Sequence, residues 1–161
     1  MSDFDARLQK AIRRGQSAAD DKQAAAHAAA LTEEQFRRLH SNYRLQLSEH
    51  IEACVAKLPD YFPGFVLEHV SGDRGWGAAV TRNDVHMSGG KATTLFSRME
   101  ATVLPYSAAH VIEIAARGTI RNKEVLQRRQ YRLLAEVQID ALREQLDLWI
   151  IDYAELYAAN G

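Results

Sequence analysis

The chain has 161 residues, 47% of them hydrophobic and 25% charged, with 20 Lys+Arg against 21 Asp+Glu. That length suits one domain with a substantial core, and the composition excludes a largely disordered or collagen-like chain. A formal charge of −1 lacks the gross signature of a nucleic-acid binder, and a single cysteine, Cys54, excludes an intrachain disulfide.

No stretch reaches the ~20 apolar residues that a membrane span needs. The most apolar one, around Trp149, Ile150 and Ile151, is bounded by Asp147 and Asp152. Met1-Ser2-Asp3-Phe4-Asp5 lacks the basic leader and apolar block of a secretory signal, so the expected location is the cytoplasm.

Residues 1–31 read as a helical arm. Phe4, Leu8, Ala11 and Ile12 keep helical spacing for about three turns. Beyond Gly15 the stripe fades into alanine, with eight in the thirteen residues from Ala18 to Ala30. Alanine favours helix but buries little area. Residues 32–161 are expected to form one domain. Thr32-Glu33-Glu34-Gln35 is a capping box, and Leu31 and Phe36 are placed for a hydrophobic staple across it. The helix over 32–58 then shows Phe36, Leu39, Tyr43, Leu47, Ile51, Cys54, Val55 and Leu58 on one face, until Pro59 stops it.

Residues 65–134 alternate like strands, broken by turn chemistry at Gly72–Gly75, Ser88–Gly90, Pro105–Ser107 and Asn122-Lys123. A two-residue loop at Asn122-Lys123 predicts that Arg121 opposes Glu124, and that Ile112 opposes Leu133. Asp140 is a candidate N-cap for a final helix over 140–159, with a broad stripe of Leu142, Leu146, Trp149, Ile150, Tyr153, Leu156 and Tyr157. The fold class is therefore α+β. Long N-terminal helices lead into a five-stranded antiparallel meander, and an amphipathic C-terminal helix packs on the sheet or on a partner. Charge is uneven: Tyr61–Leu134 carries net +4, and everything from Ala135 onward carries net −5.

One constellation could carry chemistry. A four-residue loop at Pro105–Ala108 sets Glu100 beside Glu113, with Arg98, Arg117, Arg128 and Arg132 around them. Paired carboxylates can share a proton, and the arginines could clamp an anion. The competing reading is a solvated face of ordinary cross-strand ion pairs. His50 and Cys54, at i and i+4, share a helix face. No third and fourth ligand is evident, so neither a metal nor a cofactor is expected. Ser88-Gly89-Gly90-Lys91 lacks the glycine spacing of a phosphate loop and reads as a hairpin turn. Arg121, Lys123, Arg128, Arg129 and Arg132 split across two faces, a poor phosphate track, so neither nucleic acid nor membrane is an expected partner. With no convergent catalytic set and surplus helical apolar surface, the expected function is a non-catalytic interaction or self-association module. Its partner would be a second copy as a homodimer, or another protein. The alternative is a domain that binds, or acts on, an anionic small molecule through Glu100, Glu113 and the arginines.

Overall fold

In the computed structural model, residues 3–30 and 32–160 are described. Helix α1 spans Asp3–Ala30, α2 Glu33–Val55, the one-turn α3 Leu58–Tyr61, and α4 Ile139–Asn160. Strands β1 (Val66–Val70), β2 (Trp76–Ser88), β3 (Lys91–Val103), β4 (Val111–Ile120) and β5 (Lys123–Leu133) form one antiparallel sheet in sequence order. The α+β meander expected from the sequence is the fold observed. Among the described residues, no helix is long and apolar enough to cross a membrane.

The capping box at the start of α2 is present. Thr32 Oγ1 accepts the Gln35 amide at 3.2 Å, and Gln35 Oε1 accepts the Thr32 amide at 2.8 Å. Leu31, the other half of the expected staple, lies outside the described residues; Phe36 is buried and stacks on His110. Pro59 does not end α2, which stops at Val55 with Ala56 as its C-cap. It sits instead in the first turn of α3, where a missing N–H costs nothing.

Alternation along the strands gives the sheet two unlike faces. One face carries Ala78, Val80, Met99, Ala101, Val103, Ile112, Ile114 and Ala116, all fully or almost fully buried. Helices α2 and α4 lie on this face, α2 mainly over β2 and β3, and α4 mainly over β4. The C-terminal stripe therefore needs no partner to bury it. Leu142, Leu146, Trp149, Ile150, Tyr153 and Tyr157 are all buried within the chain, beside α2. One sheet face is wide enough for both helices.

The turn of the last hairpin lies one residue earlier than expected, which shifts the pairing next to it by two. The turn is Arg121-Asn122, not Asn122-Lys123, so Ile120 opposes Lys123 and Thr119 opposes Glu124. Both turn residues have positive φ, 48° and 71°, as a type I′ turn requires, and asparagine tolerates that conformation. The Asn122 side chain then completes the edge of β3. Its Oδ1 accepts the Phe96 amide at 2.8 Å, and its Nδ2 donates to the Thr94 carbonyl at 3.0 Å. A β-bulge beside Gly118 and Thr119 shifts the pairing again, so Ile112 opposes Arg132 rather than Leu133.

The β3–β4 connection also runs longer than expected, from Leu104 to His110. Glu100 therefore opposes Arg117, and Glu113 opposes Tyr131 on β5.

Tyr153 fills the space at the bulge. Its ring is fully buried, and its hydroxyl donates to the Thr119 carbonyl at 2.8 Å. A Cβ on Gly118 would stand 2.5 Å from Tyr153 Cδ2, so only glycine lets the ring lie against the strand. Gly118→Ala is expected to lower unfolding free energy by about 1–3 kcal/mol, the cost of overpacking a fixed ring. Urea denaturation of the variant beside the parent measures it.

Candidate functional site

The face of the sheet turned away from the helices carries the charged residues singled out in the sequence. Arg98, Glu100, Arg117 and Glu113 all project there, but they form ion pairs rather than a carboxylate pair. Arg98 bridges Glu68 and Glu100, Arg129 Nε meets Glu113 at 2.7 Å, and Arg117 reaches Glu124 at 3.5 Å. Glu100 and Glu113 are four residues apart along the sheet, ~13 Å at strand spacing, too far to share a proton. Arg128 and Arg132 oppose Ala116 and Ile112, which puts them on the helix side of edge strand β5. Two arginines absent from the expected set join the outer face. Arg129 follows from the true register, and Arg74 comes from the β1–β2 turn. With Glu100, Thr102, Leu104, Arg117 and also Arg128 they line a depression of about 310 Å³. Arg98 holds the Glu68 carboxyl below the ordinary carboxylate range through a hydrogen bond and its charge. Across this face Arg98, Arg117 and Arg129 are paired with Glu68, Glu100, Glu113 and Glu124, while Arg74 and Arg128 add positive charge at the depression. Exposed pairs of this kind are worth ~0–1 kcal/mol each.

A second cluster joins the β3–β4 connection to the first turns of α2. Glu33 accepts from Tyr106 Oη at 2.6 Å and from His110 Nε2 at 2.7 Å; these bonds hold its carboxyl below the usual range. Burial, followed by the Glu33 carboxylate, pushes the Tyr106 hydroxyl up. The His110 ring stacks on Phe36 with centroids 3.9 Å apart, and Arg37 lies over the Tyr106 ring at 4.5 Å. His40, 3% exposed, has its Nε2 3.1 Å from the Leu104 carbonyl. A carbonyl can only accept, so that nitrogen carries the proton. Burial pushes the His40 pKa down; the Leu104 bond opposes this, and Arg44 adds to it. The cluster works as a latch that fixes the loop.

The third site joins α2 to α4. His50 and Cys54 stand one turn apart on α2, and Asp147 of α4 approaches both. His50 Nε2 is 2.7 Å from Asp147 Oδ1, and Cys54 Sγ is 3.4 Å from the same oxygen and 3.6 Å from His50 Nε2. All three residues are partly exposed. Burial, with the Asp147 carboxylate next, pushes the Cys54 thiol up to about 11, so in this state it is a protonated thiol. Beside the three lies an apolar groove of about 340 Å³ lined by Lys57, Leu58, Tyr61, Ile150, Ile151 and Ala154. The i, i+4 pair was legible in the sequence. Asp147, 93 residues beyond Cys54, carried no signal, because only the packing of α4 beside α2 brings it there.

No protein-family model, no curated protein and no solved structure matches this chain.

His40 gives a pH dependence with a definite sign. A histidine held neutral by burial takes up its proton more readily when unfolded. Its contribution is fully present above the unfolded pKa of ~6.5 and is lost as pH falls toward the lower folded value. Lowering the pH from 7 to 5 should reduce the melting temperature of the parent more than that of His40→Gln. The glutamine amide can still donate to Leu104 but does not titrate. Melting curves of both proteins across that range check it.

Proposed function

We propose that the chain is a non-catalytic self-association module, and that α1 makes the contact by pairing antiparallel with α1 of a second copy. The observation that carries this reading is the exposure of α1. Every side chain from Asp3 to Ala26 is exposed, including Phe4 at 68%, Leu8 at 46% and Ile12 at 51%. The other apolar helical stripes are covered within the chain. A 28-residue amphipathic helix standing alone in water has little to stabilise it except a partner.

The sequence of α1 favours a second copy in antiparallel orientation. Phe4, Leu8, Ala11, Gly15, Ala18, Lys22 and Ala25 recur at alternating fours and threes, the seam of a two-helix contact. The apolar side chains of this seam are bulky at its N-terminal end and small towards the other, where Lys22 is the one long residue. Antiparallel pairing centred between Gly15 and Ala18 sets Leu8 against Ala25, which keeps the helices evenly spaced. Parallel pairing would set bulk against bulk at one end and leave gaps at the other. Charge agrees with shape: antiparallel pairing brings Arg13 and Arg14 near Asp20 and Asp21 of the other copy, twice by symmetry. Parallel pairing would place like charges together.

The anionic-ligand alternative has less support, because Arg98, Arg117 and Arg129 on the outer sheet face are already engaged by glutamates. The α1 reading is tested by sedimentation at micromolar concentration. The parent is expected at twice the mass of one chain, and Leu8→Glu as a monomer. Arg13→Glu/Arg14→Glu and Asp20→Arg/Asp21→Arg should each be monomeric alone and form a dimer when mixed. A parent that sediments as a monomer, or a mixture that stays monomeric while the parent dimerises, would refute the antiparallel contact.

A further inference from the structure

We propose that His50, Cys54 and Asp147 form a binding site for one zinc-class transition-metal ion, with a fourth position open to the groove between α2, α3 and α4. This inference is independent of the α1 contact.

Geometry supplies the first argument. A tetrahedral zinc with Zn–S ~2.3 Å, and Zn–N and Zn–O ~2.0 Å, separates sulfur from either light atom by about 3.5 Å. It separates nitrogen from oxygen by about 3.3 Å. The observed separations are 3.6 Å from sulfur to nitrogen, 3.4 Å from sulfur to oxygen and 2.7 Å from nitrogen to oxygen. The two sulfur distances already fit. Only the His50–Asp147 pair must widen, by about 0.6 Å, as a direct hydrogen bond gives way to a shared metal.

Chemistry supplies the second. A thiolate and an imidazole select zinc-class ions over magnesium or calcium, which prefer oxygen donors. Thiolate and carboxylate together carry two negative charges, matching a divalent cation. Asp147 also belongs to the acidic C-terminal stretch, net −5 from Ala135 onward. Three protein ligands with one open position is the arrangement that admits water or a ligand. That position faces the groove formed by Leu58, Tyr61, Ile150, Ile151 and Ala154, with Lys57 at its edge. The pattern suits a ligand with an anionic, metal-binding head and an apolar body.

Binding is balanced as follows. The sulfur–metal bond forms as the Cys54 S–H bond breaks and its proton passes to solvent. The His50 imidazole keeps its proton by carrying it on Nδ1, which leaves Nε2 free to ligate. One proton is released per ion bound.

Cobalt(II) titration of the untagged full-length chain tests the site, because thiolate ligation adds a near-ultraviolet charge-transfer band to the visible bands of a tetrahedral ion. The expected result is one cobalt per chain, displaced by zinc. Cys54→Ser should lose the charge-transfer band. His50→Ala and Asp147→Asn should weaken binding by at least the roughly ten- to hundredfold that an outer-shell partner costs. His86→Ala, on the β2–β3 hairpin, should bind like the parent. In the parent, saturating zinc should also slow alkylation of Cys54 by iodoacetamide, a readout that needs no variant to fold. Absence of the charge-transfer band in the parent, its survival in Cys54→Ser, or alkylation unchanged by zinc would each overturn the proposal.

Discussion

Tyr153 packs against β4 at the one place where the strand lacks a side chain, and much of the molecule follows from that contact. Gly118 provides the space, the bulge beside it turns the Thr119 carbonyl toward the helix, and the Tyr153 hydroxyl satisfies that carbonyl. A bulky ring with its polar tip paired is an effective anchor, because it combines a large buried area with a directional bond. It settles α4 over β4, leaving β2 and β3 to α2.

Sharing one apolar face between two helices has consequences on both of its flanks. Where α2 and α4 meet, polar groups from each helix are brought into contact at the edge of the core, and His50, Cys54 and Asp147 satisfy one another there. At the start of α2, the Leu104–His110 connection has to fold back across the helix. The stack of His110 on Phe36 and a doubly bonded Glu33 hold it. Among the described residues, no buried side-chain nitrogen or oxygen is left without a partner. Polar groups at the core margin cost little only when paired in this way.

The two faces of the sheet obey different rules. Beneath α2 and α4 the sheet is apolar and closely packed, with charged residues such as Arg128 and Arg132 only on edge strand β5. The outer side is polar, and Arg98, Arg117 and Arg129 pair there with glutamates, which lends the sheet modest stability. Helix α1 belongs to neither face. Its apolar stripe is exposed in the single chain, which separates it in kind from α2 and α4.

The sequence by itself determined the element order, the α+β class, the capping box and the inward set Ile112, Ile114, Met99 and Ala101. These rest on local signals: Thr32 to Gln35 is one helical turn, and strand alternation reads out every second residue. It also placed four of the six expected site residues, Arg98, Glu100, Glu113 and Arg117, on one face, because a register error of an even number preserves parity. Only the tertiary structure decided the rest. Asn122 takes the second turn position because its amide can plug the edge of β3, a contact between segments that no local pattern encodes. That change shifts the adjacent pairing by two and keeps the faces, whereas the bulge at Gly118 leaves an odd difference beyond it, which puts Arg128 and Arg132 at helix-side positions and brings Arg129 outward. Asp147 reaches His50 and Cys54 only because α4 packs beside α2. Whether the C-terminal stripe would find its cover inside the chain depended on the width of the sheet, a property of five strands paired together and of no single one.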